Sequence, residues 1–146
     1  MEPGGNAMIE IIAGEKGKGK TKHLLDRVNE AVPKSSGNIV YLDKSQKHMY
    51  ELSNKVRLIN VMDYPIEDCD EFIGFICGII SQDHDLEELY LDSFLTISNM
   101  KDDELEHAIE KLDGISTKYD IKMTLSISKN EADLPENAKS KIVVSL

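Results

Sequence analysis

The chain has 146 residues, enough for one ordinary domain with a substantial core and too short for two. Its 27 acidic side chains against 17 basic ones give a formal net charge of −10, a field that repels polyanions and argues against nucleic acid as a partner. Two cysteines, Cys69 and Cys77, are too few for an all-cysteine zinc site, and no apolar run approaches the roughly 18 residues that a membrane-spanning helix needs. With no basic-then-apolar signal at its start, the composition reads as that of a cytoplasmic protein with reduced thiols, no structural metal and no membrane partner.

Met1 to Ala7 is polar and Gly-rich and runs straight into Met8, so residues 1–7 are expected to be a flexible leader or an added extension, with residues 8–146 forming a single domain. Met8-Ile9-Glu10-Ile11-Ile12-Ala13 predicts a strand. The next eight residues, Gly14-Glu15-Lys16-Gly17-Lys18-Gly19-Lys20-Thr21, follow the pattern G-x-x-x-x-G-K-[ST]. A helical stripe of Leu24, Leu25, Val28, Ala31 and Val32 comes directly after it. Glycines at this spacing let backbone N–H groups turn inward around phosphates, the lysine reaches the β- and γ-phosphates, and the hydroxyl is available to Mg²⁺. All eight residues from Gly14 to Thr21 are therefore candidates for binding ATP or another nucleoside triphosphate, and Thr21 is a candidate metal ligand.

Pro33 and Lys34-Ser35-Ser36-Gly37 break the helix, and Asn38 to Leu42 predicts a second strand that ends at Asp43. A short helix is expected over Gln46 to Ser53, then a strand over Val56 to Val61 closed by Asp63-Tyr64-Pro65. Asp68 followed by Glu71 has the form of a capping box opening a helix from Cys69 to Ile80, with both cysteines on its apolar face. Glu88-Leu89-Tyr90-Leu91-Asp92 predicts a short strand ending in an acid, and Leu105, Ala108, Ile109, Leu112 and Ile115 set the stripe of a helix over Lys101 to Tyr119. Ile121 to Ile127 and Lys141 to Leu146 are the last two strands. Helix-length segments between most strands imply parallel pairing. The expected fold is a three-layer α/β sandwich around a mainly parallel sheet of about five to six strands. A ligand would then sit outside the carboxyl ends of the strands, where the Gly14–Thr21 loop, Asp43, Asp63, Asp92 and Ser128 emerge.

Asp92 has the position of a Walker B acid, which holds Mg²⁺ from the end of an apolar strand. Together with the glycine-rich loop, Tyr90-Leu91-Asp92-Ser93 and Tyr41-Leu42-Asp43 resemble the RecA-like branch of the P-loop NTPases, in which further strands separate the Walker A and Walker B strands. That resemblance implies a P-loop NTPase fold, Mg²⁺ as cofactor with ATP, and Thr21 and Asp92 at the ion. It also implies a catalytic Glu after the Walker B Asp or after the second strand. Here those places hold Ser93 and Asp43-Lys44-Ser45, so no catalytic residue is assigned, and ATP hydrolysis is left open as a possible activity. Glu15 stands where the ParA/MinD-type loop has its signature lysine. Ser128, Lys129 and Asn130 occupy the place of a γ-phosphate sensor. The only arginines are Arg27, read as a surface residue, and Arg57, so an arginine finger would come from a partner chain.

The expected function is that of a small ATP-binding protein with weak or partner-dependent hydrolysis. One alternative is a small-molecule or nucleoside kinase with Asp43 or Asp63 as base. Another is a nucleotide-responsive interaction module related to larger motor ATPases, working as a homo-oligomer or with a protein partner.

Overall fold

Six short runs rich in Ile, Val, Leu and Tyr supply the strands, and every one of them is too apolar to face water on both sides. The computed structural model describes residues 8–146, so the leader expected over 1–7 lies outside the described residues. In chain order the elements are β1 (Ile9–Ala13), α1 (Lys20–Ala31), β2 (Asn38–Asp43), β3 (Val56–Asn60), α2 (Cys69–Ser81) and β4 (Leu86–Leu91), then α3 (Phe94–Ile97), α4 (Leu105–Tyr119), β5 (Lys122–Ile127), α5 (Glu136–Lys139) and β6 (Ile142–Ser145). The strands form one sheet in the order β3-β2-β4-β5-β1-β6, and every pairing is parallel.

Alternate residues along each strand enter different cores. Ile9 and Ile11 of β1, Val40 and Leu42 of β2, and Leu89 and Leu91 of β4 join the cluster packed under α2 and α4. Ile12, Ile39, Tyr41 and Tyr90 join a smaller cluster under α1, with Leu24, Leu25 and Val28. Helices therefore cover both faces, and the α/β sandwich read from the sequence is present with six strands. Each Ile or Phe that α2 buries, among them Phe72, Ile73 and Ile76, contributes about 1.5–3 kcal/mol.

The α2 start is fixed locally. Asp68 Oδ1 accepts the Glu71 amide at 2.9 Å, while the Glu71 carboxylate accepts the amide of Glu67 at 2.7 Å, so the box closes one residue earlier than its usual form. Several local expectations are corrected. The segment expected to be a helix over Gln46 to Ser53 contains only a three-residue 3-10 turn, Met49–Glu51, so β2 reaches β3 without an α-helix. The four-residue helices α3 and α5 had no forecast; each is barely one turn, too short to show a periodic apolar stripe. On α2, Cys69 is buried but Cys77 is exposed and is no core thiol. Among the described residues no helix is long and apolar enough to cross a membrane.

Candidate functional site

Where β1 ends, the chain leaves the sheet at Gly14, runs exposed through residues 15–19, and re-enters the core as α1 at Lys20. Gly17 and Gly19 sit at φ of 88° and 89°, in the left-handed region where a Cβ is strained, so the loop's path depends on glycine at these two places. Gly19 is also the N-cap of α1. It offers no side-chain cap, and the first turn of α1 holds no acid. By contrast, α2 opens with the Asp68 cap and with Asp70 and Glu71 in its first turn. A helix N-terminus carries unpaired N–H groups and roughly half a positive charge. Leaving that end of α1 uncapped, in a chain with this excess of acid, suits it to an anion supplied from outside.

Lys20 is 7% exposed, and its Nζ donates to the Glu15 carbonyl at 3.0 Å, closing the loop on itself. Burial lowers its pKa from the ordinary lysine value, and the charge of Asp92 opposes that shift. Thr21 Oγ1 donates to Asp92 Oδ1 at 3.3 Å, tying the loop to the end of β4. Asp92 is 2% exposed and also accepts from Tyr41 at Oδ2 and from Ser126 at Oδ1, both at 2.7 Å. Ser126 Oγ in turn accepts the amide of Ser93 at 2.8 Å, which commits its proton to Asp92. Burial, followed by the charge of Asp92 and its hydrogen bond, pushes the Tyr41 phenol far above its ordinary pKa, so it stays a neutral donor.

Asp43 completes the cluster. Leu42 pairs with Leu91 in the β2–β4 register, so the two acids that follow stand at adjacent strand ends. Asp43 is also 2% exposed. Its Oδ1 accepts the Lys44 amide at 2.7 Å, but its Oδ2 is buried without a partner. Burial raises its pKa above the ordinary 3.8, the charge of Asp92 adds to that, and the Lys44 amide, His48 and Lys44 oppose it. Two side-by-side buried carboxyls with one orphaned oxygen are unfavourable on their own, and a cation bound next to them would relieve both the repulsion and the missing contact. The donors here are the Asp92 carboxylate and the Thr21 hydroxyl, hard oxygens of the kind Mg²⁺ takes. Their chemistry fits that ion, and Thr21 and Asp92 are the residues that would hold it.

No protein-family model matches the sequence, and no curated protein is significantly similar to it. The functional reading rests on the residues themselves.

Of the sequence candidates, Lys20, Thr21, Asp43 and Asp92 converge. Others do not. Asp63 is exposed in a 3-10 turn beyond β3 and accepts from Asn60 at 3.3 Å. Ser128 is exposed, and Lys129 is paired with Asp102 at 3.1 Å. The hydroxyl that β5 turns into the site is Ser126, two positions earlier. Arg27 is not a free surface residue; it pairs with Glu10 at 3.2 Å, and Lys122 meets the same carboxylate at 3.3 Å. Arg57 is exposed on the edge strand β3. Tyr41 and Ser126 were not singled out, although period-two alternation places Tyr41 on the face of Asp43, and the polar residues Thr124 and Ser126 interrupt an otherwise apolar strand.

Proposed function

We propose that this chain is a P-loop protein of the RecA-like branch that binds Mg²⁺-ATP and hydrolyses it slowly or under the control of a partner. The observation that carries this reading is the Thr21–Asp92 hydrogen bond, which joins the glycine-rich loop to the strand-end acid at 3.3 Å. The strand order supports it as well, because β5 lies between β1 and β4, as a further strand separates the Walker A and Walker B strands in that branch.

In this function the backbone N–H groups of residues 15–21 and the open N-terminus of α1 hold the phosphates. Lys20 exchanges the Glu15 carbonyl for β- and γ-phosphate oxygens. Thr21, whose proton is directed at Asp92, keeps its lone pairs free for the ion. Held by Thr21 and Asp92, Mg²⁺ would supply neutralisation of the phosphate charge. Asp43 takes the role for which no Glu is present. Its Oδ2 accepts a proton from the attacking water as the water's oxygen bonds to the γ-phosphorus and the bridging oxygen leaves with the nucleoside diphosphate, while in a small-molecule kinase an acceptor hydroxyl would take the water's place. A carboxyl whose pKa is raised by burial is a better base for this than an ordinary one. Turnover that requires an added acceptor identifies the kinase reading.

Titration with a fluorescent ATP analogue tests binding directly. Saturable, Mg²⁺-dependent binding is expected, and Lys20→Ala should weaken it by about 1.5–3 kcal/mol, roughly 10- to 150-fold, with unchanged circular dichroism. Absence of binding by the wild type, or equal binding by the variant, would overturn the reading.

A further inference from the structure

The edge strand β3 has only β2 as a neighbour, so one side of its backbone is unpaired within the sheet. Exposed edges of this kind are normally shortened, charged or covered. Here the edge is bordered by a hollow on each face. Toward α2 lies a groove of about 550 Å³ lined by Ile59, Tyr64, Phe75 and Ile79, with Arg57 at its side. Tyr64 and Phe75 form one wall, their ring centroids 5.3 Å apart. Toward α1 lies a second hollow of about 280 Å³, lined by Met49, Leu52, Val56 and Leu58. Met49, Tyr50, Met62 and Tyr64 are exposed large apolar side chains, and all four fall just before or just after β3 in the chain.

A strand added beside β3 would send alternate side chains to opposite faces, and so into the two hollows in turn. The charge around this edge narrows the partner further. Lys55 and Arg57 are exposed, and among the described residues neither takes part in an ion pair, in a chain of net charge −10. A second copy of this chain fits poorly. Antiparallel pairing of two β3 strands would bring both Arg57 side chains onto one face as diagonal neighbours, between two molecules that already repel each other.

We propose that β3 is a docking edge for an extended segment of another protein, which adds a seventh strand, fills both hollows with alternate apolar side chains and sets a carboxylate against Arg57 and Lys55. The two hollows share no lining residue with the cluster around Asp92.

A phage-displayed library of linear peptides, selected on the full chain with counter-selection on Arg57→Glu, tests it. Enriched peptides are expected to alternate apolar residues, to carry an acid, and to bind the wild type at least about tenfold more tightly than Arg57→Glu. They should slow hydrogen exchange of β3 amides, and N-methylation of alternate peptide amides should abolish binding without depending on how any variant folds. Thermal melting checks that Arg57→Glu is folded. The proposal is overturned if nothing is enriched, if the enriched peptides ignore Arg57→Glu or N-methylation, or if protection falls elsewhere. Concentration-dependent self-association that protects the same β3 amides would likewise overturn it, in favour of a second copy.

Discussion

Asp92 and Asp43 stand at neighbouring strand ends with opposite fates. Three hydroxyls serve Asp92, whereas one Asp43 oxygen has no partner. Asp43 holds its proton to higher pH in the folded chain than in the unfolded one, where it titrates near 3.8. The folded state therefore binds more protons through that window, and this group's contribution to stability falls as pH rises from about 3.8 through the raised folded value. Asp43→Asn removes the effect. The variant should be more stable than wild type at neutral pH, because it carries no buried charge beside Asp92, with the difference shrinking as pH falls toward 3.8. Melting temperatures of both proteins across pH check this, and the same variant should lose hydrolysis while keeping nucleotide binding. Tyr41→Phe acts in the opposite direction. It deletes a 2.7 Å hydrogen bond to a buried carboxyl and should destabilise by about 1.5–3 kcal/mol, measurable by urea titration with an unchanged m-value.

At the scale of elements, the junction of β2 with β4 is the most exacting contact. A Cβ on Gly37 would collide with the backbone carbonyl of Asp85, the residue whose oxygen also accepts the Asn38 amide at 2.7 Å. Gly37→Ala is expected to lower stability by about 1–3 kcal/mol in a denaturant titration, because backbone on both sides must shift. Strand β1, its loop and α1 were readable from sequence because an apolar run, a cluster of glycines and a helical apolar stripe follow one another directly. The strand ends at Asp43 and Asp92 were readable because apolar runs stop there. Helices α3 and α5 were not, since four residues carry no period. Neither was the turn at Met49–Glu51, where local polarity suits a helix and a turn alike. Ser126 reaches Asp92 and Ser128 does not, because alternation within β5, and not position at the strand's end, sets which hydroxyl faces the site. The pairing of Asp43 with Asp92 depends on β2 lying next to β4, a non-local fact that no window of sequence contains.

For the whole molecule, ligand linkage offers the broadest check. A nucleotide that binds only the folded chain stabilises it by about 2.7 kcal/mol at a hundredfold excess over its dissociation constant. Mg²⁺-ATP should therefore raise the melting temperature by several degrees, and Lys20→Ala should remove the shift.

The position of β1 within the sheet carries one more consequence. The strand that delivers the glycine-rich loop pairs only with β5 and β6: Ile9 lies against Met123, and Ile11 against Ile142. A ribosome makes β1 first and its two neighbours last. During synthesis the loop has no sheet to hang from until β5 has emerged, and closing so long a span is entropically slow. The fixing of the glycine-rich loop on the sheet is thus a late event for each new chain, one that follows the synthesis of β5 and β6 and cannot precede it.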